Sequence, residues 1–192
     1  MIDSLKAVGS FFLDIIETIV VALAIFVVVY LFLFQPHQVK GNSMYPNFHD
    51  GEYILTDKIS YRLGQPKRGD VIVFKAPRNE EVDYIKRIIG LPGDEIKLEN
   101  NSMFINTKRL DEGYLPSDFV TLPGSFLSEN IPVTVPAGQY FVLGDNRNHS
   151  SDSREWGMVK RDEIVGKAFF RYWPINQVGT IKKVSYNDVS AL

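Results

Sequence analysis

Two side chains of this sequence, a serine and a lysine, have the chemistry needed to hydrolyse a peptide bond together. Ser43 lies in a bend bracketed by Gly41 and Pro46, where its hydroxyl is expected to be exposed. Because a serine hydroxyl is a weak nucleophile, it needs a neighbouring base before it can attack a carbonyl. The candidate base is Lys86, which stands inside the apolar run YIKRII at residues 84–89. The sequence therefore predicts a serine nucleophile with a lysine base, if the fold brings the two together.

Lys86 can act as a base only when its amine is uncharged. A free lysine has a pKa of about 10.4, so it is almost fully protonated at neutral pH. Burial among apolar neighbours disfavours the charged form and lowers that pKa, and the flanking isoleucines and tyrosine supply such neighbours. If the run is a strand, Lys86 points to the opposite face from Ile85 and Arg87. Taken singly, an ordinary turn serine and a solvated strand lysine are the simpler interpretations of these residues.

A third stretch, GDNRNHSSDSR at residues 144–154, is dense in charge and hydroxyl groups. One interpretation is a solvated loop. The other is a loop that packs against the site, orients the lysine through a hydroxyl and is braced by Asp–Arg pairs. The stretch also holds His149, which keeps a Ser-His-Asp arrangement open, because such arrangements are defined by geometry and not by chain order.

Composition excludes several other chemistries. The 192-residue chain has no cysteine, which rules out disulfides, thiol nucleophiles and Cys-based zinc sites. Its three histidines, His37, His49 and His149, form no His-x-x-x-His pair, so a zinc protease is not expected. A formal net charge of -2 gives no broad basic surface for nucleic acid. We therefore expect no metal, no cofactor and no nucleic-acid partner.

The first part of the chain predicts a membrane anchor. Residues 18–34 carry no charge, and residues 11–16 extend this run if Asp14 and Glu17 lie at the headgroups. About 20 apolar residues span a bilayer. A buried core helix and a cleaved secretory signal are the alternatives, but no small-x-small site follows the run, as a cleaved signal requires. We expect an uncleaved transmembrane helix, and the short N-terminus favours the bulk of the chain lying outside the cytoplasm.

The remainder alternates short apolar segments with glycine and proline turns, which is typical of an all-β domain. The pattern predicts strands at residues 52–59, 71–74, 84–89, 94–98, 103–105, 133–135, 139–143 and 165–173. Residues 77–81 and 144–156 are predicted as polar loops, and the irregular residues 111–131 as a surface excursion. The predicted fold class is mostly β, with antiparallel sheets forming a small barrel-like domain after one N-terminal transmembrane helix.

These observations divide the chain into two predicted parts. Residues 1–35 form the N-terminal cytoplasmic end and the single transmembrane anchor. Residues 36–192 form an extracytoplasmic, β-rich catalytic domain. The predicted location is the cell membrane, crossed once, with the lipid bilayer as one partner of the protein.

The anchor and the three motifs together resemble the bacterial type I signal peptidases, also called leader peptidases. The nucleophile motif of that family resembles GNSMYP at residues 41–46, and its lysine motif resembles DYIKRIIGLPGD at residues 83–94. Its third motif resembles GDNR at residues 144–147, followed by SSDSR at residues 150–154. The motifs occur in the family's order after the anchor, and the likeness covers nearly all of residues 39–173.

The resemblance implies a role for individual residues. Ser43 corresponds to the nucleophile and Lys86 to the general base. Ser150 corresponds to a hydroxyl bonded to the lysine, with Asp152 as its support. The remaining implied positions are a structural set, Asp145, Arg147 and Arg154, and a substrate cleft lined by Val39, Met44, Tyr84 and Ile85. The implied fold is a set of antiparallel sheets, which agrees with the strand pattern.

The activity implied by the resemblance is that of a membrane-anchored serine endopeptidase, which removes signal peptides from secretory precursor proteins after a small-x-small motif. One departure concerns the oxyanion, because some members place a serine two residues before the nucleophile and this chain has Gly41 there. The backbone N–H of Ser43 is then the expected donor, with a second donor not identified. Two other functions are alternatives: a self-cleaving Ser/Lys regulator, against which the anchor argues, and a non-catalytic tethered β-domain that binds peptides.

Overall fold

The chain begins with a long apolar helix. The computed structural model describes residues 2–77, 79–184 and 186. Helix α1 (Ile2–Val28) continues as a short π-helical turn, Val29–Leu33. Within α1, the segment Phe11–Val28 has a mean hydropathy of 2.6 and is not buried by the rest of the protein. The expected N-terminal apolar helix is therefore present, and its length and composition suit a lipid environment.

Most strands form one antiparallel sheet. They lie in the order β1 (Phe34–Gln38), β2 (Tyr53–Asp57), β11 (Ile164–Trp173), β3 (Val71–Ala76), β4 (Asn79–Gly90), β9 (Gln139–Leu143) and β10 (Val159–Lys160), with β12 (Gly179–Thr180) also paired to β11. A second sheet has the order β7 (Lys108–Arg109), β6 (Ser102–Ile105), β5 (Glu95–Glu99) and β8 (Val133–Thr134). Connections include α2 (Ser60–Leu63), α3 (Ser153–Trp156) and two 3₁₀ turns, Arg161–Glu163 and Ile175–Gln177.

The predicted class, mostly β with antiparallel sheets behind one apolar helix, is confirmed. The barrel-like closure is not observed in the part of the chain that the structure describes. The larger sheet is open, because β1 pairs only with β2 at one edge and β10 pairs only with β9 at the other. The protein is therefore built from two open sheets, with the lysine strand β4 in the interior of the larger one.

The strand that carries Lys86 is longer than predicted. β4 runs over Asn79–Gly90, so the polar loop predicted for residues 77–81 is wrong from Asn79 onward. Residues 79–82 are exposed, yet they continue the hairpin with β3, in which Asn79 lies opposite Ala76. This end of the strand is defined by backbone hydrogen bonds to β3 and not by burial. Its residues therefore lack the apolar periodicity from which strands are predicted.

Two other segments differ from the sequence pattern. β1 begins at Phe34, directly after the helix, so the chain enters the sheet before the sequence suggests. The polar loop predicted for residues 144–156 ends in helix α3, whose N-cap Asp152 accepts a hydrogen bond from the Arg154 N–H. An aspartate at this position stabilises the first turn of a helix.

Three clusters of buried apolar side chains hold the sheets together, and one of them underlies the Ser43 segment. A cluster around Ile89, Ile96 and Phe141 lies between the two sheets. The cluster beneath Ser43 consists of Val39, Met44, Phe48, Ile54, Val71, Val73 and Ala168. Full burial of a side chain of this kind stabilises a fold by about 1.5–3 kcal/mol, so the apolar base of the Ser43 loop is firmly attached to the sheet.

Candidate active site

Ser43 stands on a loop, residues 39–52, that connects β1 with β2. The loop is closed at its base, where the Val39 N–H donates to the Glu52 carbonyl at 2.8 Å. Gly41 has a φ of +79°, a left-handed conformation that glycine adopts without strain. Its N–H is bonded to a carboxylate across the loop at 2.7 Å. The serine is therefore presented on a turn whose two ends are fixed.

Lys86 lies in β4, flanked by β3 and β9, and is only 4% exposed. Its Nζ donates to Ser43 Oγ at 2.6 Å, so the structure brings these two side chains together. Burial lowers the pKa of Lys86 from 10.5 to about 8, although the negative charges of Asp152 and Asp145 oppose the shift. Near this pH the amine is neutral in a substantial fraction of molecules, which is the state a general base requires.

Arg87, the next residue of β4, points away from Lys86 and binds Asp145. Its Nε and one terminal nitrogen donate to the two carboxylate oxygens at 2.8 and 2.6 Å. Both partners are buried, with Arg87 2% and Asp145 0% exposed. The side-chain amide of Asn47 donates to the same carboxylate at 2.9 Å. Asp145 thereby ties the loop after β9 to the lysine strand and to the Ser43 loop.

Arg147 ties the same loop to the irregular residues 111–131. Its guanidinium contacts both carboxylate oxygens of Glu112, at 2.7 and 2.5 Å, and it donates to the hydroxyls of Tyr114 and Thr121. Arg147 is itself buried, with 2% exposure. A bidentate Arg–carboxylate pair of this kind fixes geometry as well as adding energy. Residues 111–131 therefore cover a buried cation.

Asp152 supports the loop backbone and not the hydroxyl of Ser150. Its carboxylate accepts from the Arg154 guanidinium at 2.8 and 2.9 Å and from the Gly144 N–H at 3.0 Å. Ser150 Oγ is buried without a hydrogen-bond partner among the described residues. The hydrogen bond predicted between Ser150 and Lys86 is therefore not formed. The lysine amine contacts the nucleophile instead, and Ser150 packs against the backbone of Gly144.

The structure does not support a histidine as the base for Ser43. His149 is exposed, and the hydroxyl of Ser43 is contacted by Lys86. Within the described part of the chain, no histidine is bonded to Ser43. The base that the structure offers to the serine is the lysine.

A cleft of about 610 Å³ opens beside Ser43 and Lys86. Of the four residues predicted to line a substrate cleft, Val39, Tyr84 and Ile85 do line it. Met44 does not line it, because the turn directs this side chain inward, where it is 1% exposed and packs in the apolar cluster beneath the loop.

The cleft also has a polar wall that sequence reasoning missed. His37 Nε2 lies 3.1 Å from Asp83 Oδ2, and Lys75 Nζ lies 2.8 Å from the other oxygen of that carboxylate. Burial lowers the pKa of His37, which favours its uncharged ring.

A serine hydroxyl in contact with a buried lysine of lowered pKa is the arrangement of a Ser/Lys hydrolase. The family model described as signal peptidase, peptidase S26, matches residues 12–173, and the chain belongs to this family. It is accordingly a serine endopeptidase, and the resemblance drawn from the three motifs is confirmed. The self-cleaving regulator and the non-catalytic β-domain are not favoured.

Individual relatives cover most of the chain. Signal peptidase IB of Staphylococcus aureus is 39% identical over 178 residues, which cover 86% of this chain and 91% of that protein. The probable signal peptidase I-2 of Synechocystis is 38% identical over 174 residues, which cover 88% of this chain and 77% of that protein. A crystal structure of a signal peptidase I from Enterococcus faecalis V583 is 37% identical, with a TM-score of 0.46, and the match covers 54% of this chain and 97% of that chain.

Proposed function

We propose that this protein removes signal peptides from secretory precursor proteins, with Ser43 as the nucleophile and Lys86 as the general base. The observation that carries the proposal is the 2.6 Å contact between Lys86 Nζ and Ser43 Oγ, made by an amine whose pKa burial lowers to about 8. A neutral amine at this distance accepts the hydroxyl proton directly, without an intervening water.

In the proposed reaction, Ser43 Oγ attacks the carbonyl carbon of the scissile peptide bond while its proton passes to Lys86 Nζ. The lysine ammonium returns this proton to the leaving amine as the C–N bond breaks, which leaves an acyl-enzyme on the serine. Lys86, neutral again, takes a proton from a water molecule whose oxygen attacks the ester. That proton then passes to Ser43 Oγ as the signal peptide leaves. One amine acts as base and then as acid in both halves of the reaction.

We further propose that the substrate lies extended in the cleft beside β4 and forms backbone hydrogen bonds in the manner of an added strand. Alternate side chains of an extended peptide point to the same side. The first and third residues before the scissile bond then face the wall that holds Val39 and Ile85, while the residue between them points away. Shallow apolar pockets in this wall account for the small-x-small preference.

The proposed arrangement places residues 1–35 as the cytoplasmic end and single membrane anchor, and residues 36–192 on the extracytoplasmic side. The mean hydropathy of 2.6 over Phe11–Val28 supports the anchor. The apolar segment of a precursor is held in the same bilayer, so confining both molecules there raises their effective concentration. The proposed partners are secretory precursors and the lipid bilayer, with no nucleic acid and no cofactor.

Cleavage of a model secretory precursor by the full chain in detergent tests the proposed function. A precursor with alanine at the first and third positions before the scissile bond is expected to be cut at that bond, as read by mass spectrometry of the products. The matched control carries lysine in place of the first alanine and is expected to stay intact. EDTA is expected to leave the rate unchanged, since the proposed steps use only protein groups and water. Absence of cleavage in the alanine precursor contradicts the proposal.

The pH dependence of the reaction follows from the lysine. Because Lys86 acts as a base only when deprotonated, and burial lowers its pKa to about 8, activity is expected to rise with pH through that value. The kcat/KM of a precursor peptide, measured from about pH 6 to about pH 10, reports the pKa of the essential base in the free enzyme. A flat profile, or a midpoint near the ordinary lysine value of about 10.4, argues against lysine as the base.

A further inference from the structure

Asn146 holds the backbone on both sides of the nucleophile. Its N–H donates to the carbonyl of Ser43 at 3.0 Å, and its side-chain Nδ2 donates to the carbonyl of Asn42 at 3.0 Å. Asn146 is only 6% exposed, so both bonds are shielded from water. Neither bond reaches the hydroxyl of Ser43, and the mechanism described above does not use Asn146.

The bond to the Asn42 carbonyl fixes a direction that matters for the reaction. The carbonyl of Asn42 and the N–H of Ser43 belong to one planar trans peptide unit, so they point in opposite directions. The carbonyl is held from one side by Asn146 Nδ2 and by the N–H of Tyr45 at 3.1 Å. The N–H of Ser43 must therefore point away from the buried amide of Asn146.

We infer that Asn146 is a positioning residue, which aims the Ser43 N–H at the oxyanion that forms when the serine attacks the substrate carbonyl. This inference rests on the proposed function. An N–H that is already aligned stabilises the developing negative charge without reorganising at the moment of reaction. Asn146 itself touches neither the substrate nor the reacting atoms.

The local sequence makes the N–H of Ser43 more important as an oxyanion donor. Gly41 carries no side chain, and a Cβ placed there would meet nothing within 4 Å. A hydroxyl two residues before the nucleophile, which could help to bind the oxyanion, is therefore absent from this chain. The alignment of the Ser43 N–H has to be provided by the backbone and by what holds the backbone.

Asn146 is itself held by the charges beneath the site. Its neighbour Asp145 binds Arg87 through two hydrogen bonds, and Arg87 is the neighbour of Lys86 in β4. The buried Arg87–Asp145 pair therefore connects the loop that holds Asn146 to the strand that holds Lys86. Together they form one frame, which sets the positions of the general base and of the Ser43 N–H. Such a frame keeps the amine and the oxyanion donor in a constant relative position.

The experiment compares Asn146→Ala with Asn148→Ala in precursor cleavage by the full chain. Asn148 is exposed in the same loop, so its truncation controls for the loss of an amide there. Rates are measured on the high-pH plateau, where the lysine is neutral in all variants. Asn146→Ala is expected to lower kcat by about 10- to 100-fold with little change in KM, because a misaligned oxyanion donor weakens only transition-state binding. Asn148→Ala is expected to match the wild type, and the midpoint of the pH profile is expected to stay in place.

A peptide aldehyde of the precursor sequence separates alignment from a general structural effect. Its adduct with Ser43 carries an oxyanion, whereas a reduced-amide peptide of the same sequence has no carbonyl at this position. In Asn146→Ala, affinity for the aldehyde is expected to fall by the same factor as kcat/KM, while affinity for the reduced amide is unchanged. Asn146→Asp, which keeps the side-chain shape but replaces the donor with an acceptor facing a carbonyl, is expected to lose affinity for the aldehyde in the same way.

Three results overturn the inference. If Asn146→Ala and Asn146→Asp both cleave the precursor at the wild-type rate, alignment of the Ser43 N–H by Asn146 is unnecessary, and the proposed function stands without it. If affinity for the reduced amide falls as much as affinity for the aldehyde, Asn146 is only structural, and a lowered Tm would accompany that result. If the wild type itself does not cut the precursor, the proposed function fails and the inference fails with it.

Discussion

Lys86→Met is expected to abolish precursor cleavage and to stabilise the protein at neutral pH. Methionine nearly fills the volume of the lysine stem but supplies no base, so a fall in kcat of about 10⁴-fold or more is expected, as for removal of a member of other serine hydrolase sites. A buried amine whose pKa falls from 10.5 to about 8 destabilises the folded state at neutral pH, and since each pKa unit corresponds to about 1.4 kcal/mol, its removal is expected to stabilise the protein by roughly 3 kcal/mol. The measurements are initial rates of cleavage and the free energy of unfolding in urea.

The pH dependence of that stability gain is a further expectation for the same variant. Burial lowers the pKa of Lys86 to about 8 in the folded state, so the unfolded chain binds more protons between about 8 and 10.5. The wild type therefore gains stability with rising pH across this window, and the advantage of Lys86→Met shrinks there. An advantage that is constant with pH contradicts a lowered lysine pKa.

The controls for Lys86→Met concern charge and the nucleophile. Lys86→Arg is expected to be equally inactive, because a guanidinium stays protonated in proteins and cannot act as a base. Ser43→Ala removes the nucleophile, and the double variant should be no less active than either single one, since the two groups act as a unit. Residual cleavage by Lys86→Met at more than about a tenth of the wild-type rate excludes the lysine as the essential base.

Arg87→Met is expected to lower the free energy of unfolding by about 3–5 kcal/mol, because it leaves the carboxylate of a broken buried pair without its charged partner. Asp145 is 0% exposed, so water cannot replace the lost guanidinium. Precursor cleavage is expected to fall as well, since Asp145 also holds the Ser43 loop through Asn47. Urea unfolding followed by circular dichroism gives the stability difference.

The matched control for Arg87→Met is an ion pair at the surface. Lys97 Nζ lies 2.6 Å from Glu99, and the side chains of this pair are 34% and 38% exposed. Lys97→Met is expected to change stability by less than about 1 kcal/mol, as is usual for exposed pairs. Equal effects of Arg87→Met and Lys97→Met contradict the view that the buried pair supports the site.

The two-residue period of a strand was sufficient to predict that Lys86 and Arg87 point to opposite sides of β4. Alternation in β4 sends Lys86 to Ser43 and its neighbour Arg87 to the opposite side, where it binds Asp145. Apolar runs likewise predicted most of the strands, and β9 has the bounds that the pattern gives. These features were predictable because they depend on residues close together in the chain.

Features that depend on tertiary burial were not predictable in this way. The stretch at residues 144–154 has the composition of a solvated loop, yet Asp145, Arg147 and Arg154 are buried at 0%, 2% and 6% exposure. The partners of Asp145 and Arg147, which are Arg87 and Glu112, lie far along the chain, whereas Arg154 pairs with the nearby Asp152. Composition cannot identify the distant partners, and a charged residue is buried only where an opposite charge is present to pair with it.

The directions of the side chains around Ser43 and Lys86 were also not predictable from the sequence. Ser150 was expected to contact the lysine and Met44 to line the cleft. Ser150 Oγ instead has no hydrogen-bond partner among the described residues, and Met44 lies in the core with 1% exposure. A motif fixes which residues surround a site, whereas the direction of each side chain is set by the turn that carries it. Asn146 binds the carbonyls of Asn42 and Ser43, and the sequence gave no signal of this role beyond the place of Asn146 in the motif.

Direct titration of the Lys86 amine tests whether an uncharged lysine contacts the serine. The full chain is prepared in detergent with ¹³C at the lysine ε-carbons, and the Lys86 signal is assigned by its absence from the spectrum of Lys86→Met. This signal is expected to titrate at a pKa of about 8, in agreement with the midpoint of the activity profile. A Lys86 signal that titrates with the other lysines, near the ordinary value of about 10.4, would contradict it.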